Sequence, residues 1–337
     1  MEKIDFRSAI ARQPQMLDEA RPLVALAVRQ ALDTDAPARR LPPVLTGIGA
    51  SYYAGLTALP YWHALGLAAQ CYSSGELYGA SSNIADLIVA ISASGRSVEP
   101  IAVLDRFKSA RSIGIACEQD NPLTPHVDAM IASHCSIDSS PNTASFLGGL
   151  QVLGLLAEAM AGVDKDWSSQ HEALKLVLET GRQPIEAVAG ALAGKKVIDC
   201  VGNGSDYGIA GYSALLLREF ARIPAQSWAT HNFLHGPMES NDQTSAAIIF
   251  GDGREVDLAR DMAGFGITTL LFSSRADLTP APGFHPIQLP RSDHPMVSAM
   301  AAATAAQLLI VAIAETRGFS SCTFRYRQTD TKVPTGT

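Results

Sequence analysis

The sequence predicts an α/β protein, a mostly parallel sheet flanked by helices, built twice in tandem. Three observations predict it. Apolar runs such as Asp86-Leu87-Ile88-Val89-Ala90 lack polar alternation and read as strands buried on both faces. Segments with helical apolar spacing follow such runs, and that alternation is the pattern of a parallel sheet covered on both sides. Finally, Thr46-Gly-Ile-Gly-Ala-Ser-Tyr recurs as Val201-Gly-Asn-Gly-Ser-Asp-Tyr, 155 residues further on.

Residues 1–40 read as a polar-faced helical arm, broken at Gln13-Pro14 with a new helix from about Met16. A first domain, 41–165, opens with strand and turn at Pro43 to Gly49 and a helix from Ala50 to about Leu65. Strands follow near Ala69–Tyr72, Asp86–Ser92, Arg111–Cys117 and Met130–Cys135. Helices are expected over Val98–Lys108 and Thr143–Ala161. Segment 166–195 is more charged and helical, and serves as a connector. A second domain, 196–320, repeats the plan: strands at Lys196–Val201, Ser245–Phe250, Thr268–Phe272 and Pro286–Leu289, helices at Tyr207–Ala221 and Met296–Glu315. Asp293-His294-Pro295 reads as the start of that last helix. A polar tail, 321–337, carries Lys332.

Of the 337 residues, 47% are apolar and 18% charged, which suits a globular protein with a sizeable core. The net charge of −7 argues against nucleic acid and anionic membrane as partners. No apolar run is expected to reach membrane-spanning length, and the N-terminus lacks the order of a signal peptide. Five scattered cysteines without a CxxC pair read as reduced thiols in a cytoplasmic protein.

The stretch Ile91-Ser92-Ala93-Ser94-Gly95-Arg96-Ser97 is a strand-to-helix turn. Free N–H groups and the positive helix end converge there and suit a phosphate. Hydroxyls can add donors and Gly95 lets the backbone approach closely, although serines also serve plain N-capping. In the second copy Asp206 stands for Ser51, and Gly251-Asp252-Gly253-Arg254 stands for the serine turn. Carboxylates repel phosphate, so only the first copy keeps an anion pocket. A dinucleotide fingerprint at Gly47-x-Gly49 fails, because Tyr52 replaces its third glycine.

Candidates for chemistry lie mainly in the second half. Glu219 ends an apolar helix, where partial burial would make it a general base, or where it pairs with Arg218 or Arg222. His235 precedes Gly-Pro in a turn and either moves protons or is a solvated loop histidine. His231 and His235 share zinc spacing but have no third ligand, so no metal is expected. Lys332 reads as a solvated tail lysine.

These residues carry a resemblance. The chain resembles the double sugar isomerase (SIS) domain family, which includes the isomerase half of glucosamine-6-phosphate synthase, stand-alone aminosugar-phosphate deaminases, isomerases and deglycases. The motifs are Ile10-Ala-Arg-Gln-Pro-Gln-Met-Leu, Gly49-Ala-Ser51-Tyr, Ser92-Ala-Ser-Gly-Arg-Ser97, Ala214-Leu-Leu-Leu-Arg-Glu219, Phe233-Leu-His235-Gly-Pro and Lys332-Val333. The resemblance implies two tandem SIS domains, each a flavodoxin-like three-layer sandwich. It implies that Ser51, Ser92, Ala93, Ser94 and Ser97 hold a sugar phosphate, with Gly49 and Thr143 beside the substrate. Glu219 would shuttle a proton between C1 and C2. His235, from the neighbouring subunit of a homodimer with a shared site, would assist ring opening, and Lys332 would lie near the carbonyl end.

Three departures stand out: Leu216 replaces a synthase lysine, Arg96 replaces the glutamate of the phosphate turn, and Pro141-Asn142-Thr143-Ala144-Ser145-Phe146 lacks a lysine. Glu2 follows Met1, where the synthase's glutaminase domain would open with a cysteine, so glutamine-supplied ammonia is not expected. The expected activity is that of a phosphosugar isomerase or aminosugar-6-phosphate deaminase, with no cofactor. The alternatives are an aldose–ketose isomerase, a fructosamine-6-phosphate deglycase, or a non-catalytic sugar-phosphate-binding regulator.

Overall fold

A short strand, β1 (Glu2–Lys3), leads into α1 (Phe6–Thr34), one continuous helix of 29 residues. The structure, a computed structural model, describes residues 2–34, 40–326 and 328–334. The expected break at Pro14 does not occur. A proline withdraws one backbone N–H from the helical ladder, and here the long buried stripe outweighs that loss. Phe6, Ile10, Leu17, Val24, Val28 and Leu32 are all buried, at the spacing of one helix face. The N-terminal segment is therefore part of the packed protein and not a free arm. The chain divides into two compact units, and α1 contributes to both: Asp5–Pro14 cluster with the second, and the helix from Gln15 onward with the first.

In the first unit the elements are β2 (Pro43–Gly47), α2 (Ala50–Ala64), β3 (Gln70–Ser73), α3 (Ser74–Leu77), β4 (Leu87–Ile91), α4 (Val98–Arg106), β5 (Arg111–Ala116), β6 (Ala129–Ala132), β7 (Ile137–Asp138) and α5 (Ala144–Ala161). The sheet order is β3-β2-β4-β5-β6, parallel throughout. Leu45 stands beside Val89, and Val89 beside Ile113. Strands β2 and β4 are buried at every position, so both sheet faces are covered. The described residues from Phe324 onward also belong to this unit.

The second unit contains α6 (Gln170–Leu176), α7 (Arg182–Ala193), β8 (Val197–Gly202), α8 (Ser205–Leu216), β9 (Ala225–Ala229), α9 (Thr230–Leu234), β10 (Ser245–Phe250), α10 (Arg254–Gly264), β11 (Thr268–Ser273), β12 (Phe284–Gln288) and α11 (Pro295–Thr316). Its sheet order is β9-β8-β10-β11-β12, again all parallel. Numbered within its own unit, each sheet runs 2-1-3-4-5, a doubly wound order with its switch point between the first and third strands.

The repeated turns share one backbone. Gly49 has φ 58° and ψ −128°, and Gly204 has φ 57° and ψ −127°. This region is essentially reserved for glycine. One strand end earlier, a Cβ on Gly47 would meet Ser51 Cβ at 2.8 Å, and one on Gly202 would meet the Asp206 carbonyl at 2.5 Å.

Several elements escape the sequence reading, among them the short β1, β7, α3 and α9, and two longer ones. Strand β9 mixes Gln226 and Ser227 into its run, and α10 alternates charge with its apolar positions. Val256, Ala259 and Met262 nevertheless fall on one buried face of α10. The expectation that no apolar run reaches membrane length also needs correction. Helices α5 and α11 are long and apolar enough, with mean hydropathies of 1.4 and 2.0. Their windows are 83% and 94% buried, which is the environment of core helices. The start of α11 is as read: His294 is its N-cap, with Nδ1 accepting from Met296 N, and Pro295 occupies the first turn.

Candidate functional site

The first unit concentrates its functional groups where its strands end. Ser51 lies in the first turn of α2 after β2, Ala93 just past β4, Cys117 just past β5 and Ser133 just past β6. These four line one cleft together with Asn142 and Ser145. Ligands of open α/β sheets bind at the carboxyl ends of the strands, and this is that place. The enclosed part of the cleft is about 20 Å³, room for a water-sized group.

Of the serine turn only Ala93 lines this cleft; Ser92, Ser94 and Ser97 are not among its lining residues. Gly95 has φ 64° and its N–H donates to Ser92 O at 2.8 Å, so the chain reverses within two residues. Ser92 is 2% exposed, and its Oγ has no hydrogen-bond partner among the described residues. A buried hydroxyl without a partner costs on the order of 1–3 kcal/mol, so its survival calls for a reason. Ser94 and Ser97 are half-buried, and Ser97 is the N-cap of α4. Gly49 supplies the bend that brings Ser51 to the cleft.

Thr143 does not join the cleft. It is fully buried, and its hydroxyl donates to Asp138 Oδ1 at 2.8 Å. Asp138, which the sequence reading passed over, organises this corner. Its buried carboxylate accepts six hydrogen bonds: from the backbone N–H of Ser139, Thr143, Ala144 and Ser145, and from the hydroxyls of Thr143 and Ser145. The N-terminus of α5 is thus satisfied by an internal anion. Asn142 and Ser145 face the cleft instead of Thr143. A cluster of capping residues ahead of an apolar helix was the available signal.

The C-terminal tail meets the serine turn. Lys332 forms an antiparallel bridge with Ser97, flanked by Val98 N to Thr331 O at 3.3 Å and Val333 N to Arg96 O at 2.9 Å. The Lys332 side chain is exposed.

Two expected groups belong to the second unit. Glu219 lies in a π-helical turn, Leu217–Ala221, that closes α8 and ends at Arg222 with φ 55°. Such turns recur at functional sites. Glu219 is half-buried, and the two arginines flanking it are held by carbonyls: Arg218 Nη1 donates to Ala225 O, and Arg222 Nη2 to Thr323 O. His235 caps the C-terminus of α9 and is exposed. Leu216, at the place of the synthase lysine, is buried core.

The second unit's own cleft is larger, about 210 Å³, and is lined by Asp206, Asp252, Ser273, Ser274 and Arg291 among others. Its chemistry opposes phosphate. Asp252 accepts from Ser273 Oγ and from the Ser274 N–H and hydroxyl. Burial, then the charges of Glu255 and Asp252, push the Asp206 carboxyl up to about 7. The more spacious cavity is therefore poorly suited to an anion.

Burial disfavours the thiolate form of the cysteines. Burial pushes Cys71 and Cys117 up to about 12 and Cys322 up to about 11. Cys117, although in the first cleft, is thus no thiolate at neutral pH.

A hydroxyl turn at the switch point of a parallel 2-1-3-4-5 sheet, in a chain bearing the ordered motifs above, agrees with the resemblance to sugar isomerase (SIS) domain proteins. The sequence is 25% identical over 301 residues to the glutamine–fructose-6-phosphate aminotransferase (isomerizing) of Zymomonas mobilis subsp. mobilis, covering 81% of this chain and 49% of the relative. The chain thus spans about half the length of that relative. Among solved structures, the C-terminal domain of glucosamine-fructose-6-phosphate aminotransferase from Francisella tularensis matches with a TM-score of 0.81 at 19% identity, covering 94% of this chain and 97% of that one. The tagatose-6-phosphate ketose/aldose isomerase of Escherichia coli matches with a TM-score of 0.74 at 16% identity, covering 93% and 92%. At these identities the structures establish the fold. No family model matches the chain.

Proposed function

We propose that the chain is a phosphosugar enzyme of the isomerase and deaminase type, acting on an aminosugar 6-phosphate. The observation that carries this reading is the serine turn with its buried, unpartnered Ser92 hydroxyl at the strand ends of the first unit. Ser51, Ser92, Ser94 and Ser97, with the backbone of Ala93, hold the phosphate through neutral donors and a helix N-terminus. Gly49 shapes this pocket.

The chemistry follows from the roles that the resemblance implies. His235 assists ring opening, which exposes the C1 aldehyde. Glu219 takes the proton from C2 and returns it at C1, leaving a ketimine at C2. Water adds to that ketimine and releases ammonia and a ketose 6-phosphate. The hydrogen moves as a proton, so the residues named suffice as acid and base. Lys332 stands by the open-chain sugar.

The two units are read as two tandem SIS copies, 41–165 and 196–320. Their equal strand orders and the matching dihedrals of Gly49 and Gly204 support this. The exposed position of His235 suits a homodimer in which it serves the partner's site. Five free thiols suit the cytoplasm.

The test is ammonia release from a panel of aminosugar 6-phosphates, with the ketose phosphate assayed in parallel. Ammonia and fructose 6-phosphate from glucosamine 6-phosphate are expected, with Glu219→Gln losing turnover but keeping phosphate-dependent binding. Ketose phosphate formed without ammonia would replace the deaminase by an aldose–ketose isomerase. Binding of sugar phosphates without turnover would leave a regulator, and turnover by Glu219→Gln would overturn the proton shuttle.

A further inference from the structure

The second unit's cleft lies at the carboxyl ends of its own parallel strands, where open α/β sheets bind ligands. At about 30 Å³ per water, its volume of about 210 Å³ has room for a small organic molecule. The Asp206 carboxyl lines this space and takes no hydrogen bond from the described residues. Burial and the charges of Glu255 and Asp252 act on it, and no donor offsets them. Arg291, the one cation among the lining residues, is exposed and forms no ion pair with it. A carboxylate withdrawn from water and left unpaired is costly. Such a group facing a roomy cleft calls for a ligand that brings donors.

The rest of the lining has the same polarity. Ser274 Oγ donates to Asp252 Oδ2, and Ser298 Oγ donates to the Ser292 carbonyl. Both hydroxyls have given up their protons, so what they hold out to the cleft is lone pairs. The two neighbouring carboxylates are fixed in place. Asp252 is held by Ser273 and Ser274. Glu255 accepts from the Thr230 hydroxyl at 2.6 Å, and its Oε2 lies 2.8 Å from where a Cβ on Gly251 would stand. The Gly251–Gly253 turn is the counterpart of the serine turn, so the chain's own carboxylate stands where an external anion would approach. A metal ion fits no better: among the described residues no three His, Cys, Asp or Glu side chains are placed to hold one. A primary ammonium group fits on both counts. It has three N–H donors and no acceptor, and fixed negative charge favours it.

We propose that the second unit's cleft is a binding site for a small hydroxylated primary amine, its ammonium group seated on Asp206 in the field of Asp252 and Glu255 and its hydroxyls donating to Ser274 and Ser298. The site is made of other residues than the serine turn and does not depend on the phosphate reading.

Titration of the full chain at pH 8, where Asp206 is ionised, tests it by ligand-observed NMR. The probes are 2-amino-1,3-propanediol and glycerol, which carries a hydroxyl in place of the amine. The amine should bind at least about tenfold more tightly, the scale of one hydrogen bond to a charged group. Asp206→Asn should erase that preference. Removing a repelled charge stabilises the fold, so binding lost in this variant is not folding lost. Arg291→Gln removes the competing cation and should tighten amine binding by about threefold, the scale of an exposed charge interaction. Glycerol bound as tightly as the amine, or no amine bound at all, would overturn the proposal. So would amine binding that Asp206→Asn leaves intact. Inorganic phosphate bound through Arg291, lost in Arg291→Gln, would make the cleft an anion site instead. Displacement of the amine by magnesium ions at matched ionic strength would make it a metal site, and either result sinks the assignment. Sugar-phosphate binding by the first unit is measured with its own ligand, so the two readings fail separately.

Discussion

Replacing Asp206 by asparagine should stabilise the protein at pH 8, and by less than half as much at pH 5. The carboxyl lies in the first turn of α8, in the cleft it shares with Asp252. Burial first, then Glu255 and Asp252, raise its pKa from the ordinary 3.8 to about 7. A group whose folded pKa is raised binds more protons in the folded state across that interval. Stability contributed by the protonated form is therefore present below about pH 4 and lost as pH rises through 7. The full interval corresponds to about 4 kcal/mol at about 1.4 kcal/mol per tenfold change in proton affinity. Asp206 keeps partial access to solvent, and its charge is favoured by the helix N-terminus. Both discount the figure, and about 2 kcal/mol is the expected gain of Asp206→Asn at pH 8. Urea denaturation of both proteins at pH 5 and pH 8 measures it. A gain of the same size at both pH values would refute the reasoning, as would a loss at pH 8. Asp206→Ser, which installs the first copy's residue, should behave as the asparagine does.

Other consequences of the structure are equally open to measurement. Asp138→Ala strips the acceptor from four backbone N–H groups, three of them at the start of α5, and should cost about 3 kcal/mol or more. Asp138→Asn, which keeps one acceptor oxygen, should cost less, and equal losses in denaturant midpoint would contradict the capping role. Gly95→Ala places a methyl on the Asn121 side-chain amide at φ 64°, a conformation that costs an alanine about 1 kcal/mol before any clash. It should weaken sugar-phosphate binding in a thermal-shift titration; unchanged binding would remove the turn from the site. With Cys71, Cys117 and Cys322 pushed up to about 12, 12 and 11, the native protein should react with iodoacetamide at pH 7.5 far more slowly than the urea-unfolded chain. Rapid labelling of any of the three in the native state would show a thiolate that these environments do not support.

Local pattern was enough for the doubly built parallel sheet. Buried strands such as Leu87–Ile91 are apolar at every position, and the tight strand-to-helix turns demand glycines that recur with the same spacing. Those constraints act within a few residues of one another, so they are written in the chain itself. The serine turn was legible for the same reason, because a turn between a strand and a helix exposes its donors whatever surrounds it. The break at Pro14 was misread because a local rule met a buried stripe running the length of α1. Thr143 was misplaced and Asp138 passed over because burial decides whether a hydroxyl faces a cleft or an internal carboxylate. Arg96 was a bare departure from a motif until the fold brought Val333, 237 residues away, against its guanidinium. Likewise the pKa of Asp206 depends on Asp252 and Glu255, which meet it only across the sheet. The sequence alone determined the sheet, its repeat and the serine-rich strand-to-helix turn, since each depends on neighbours along the chain. Tertiary structure alone decided which polar groups face the cleft, which charges crowd one another and where the tail lies, because those depend on distances between residues far apart in sequence.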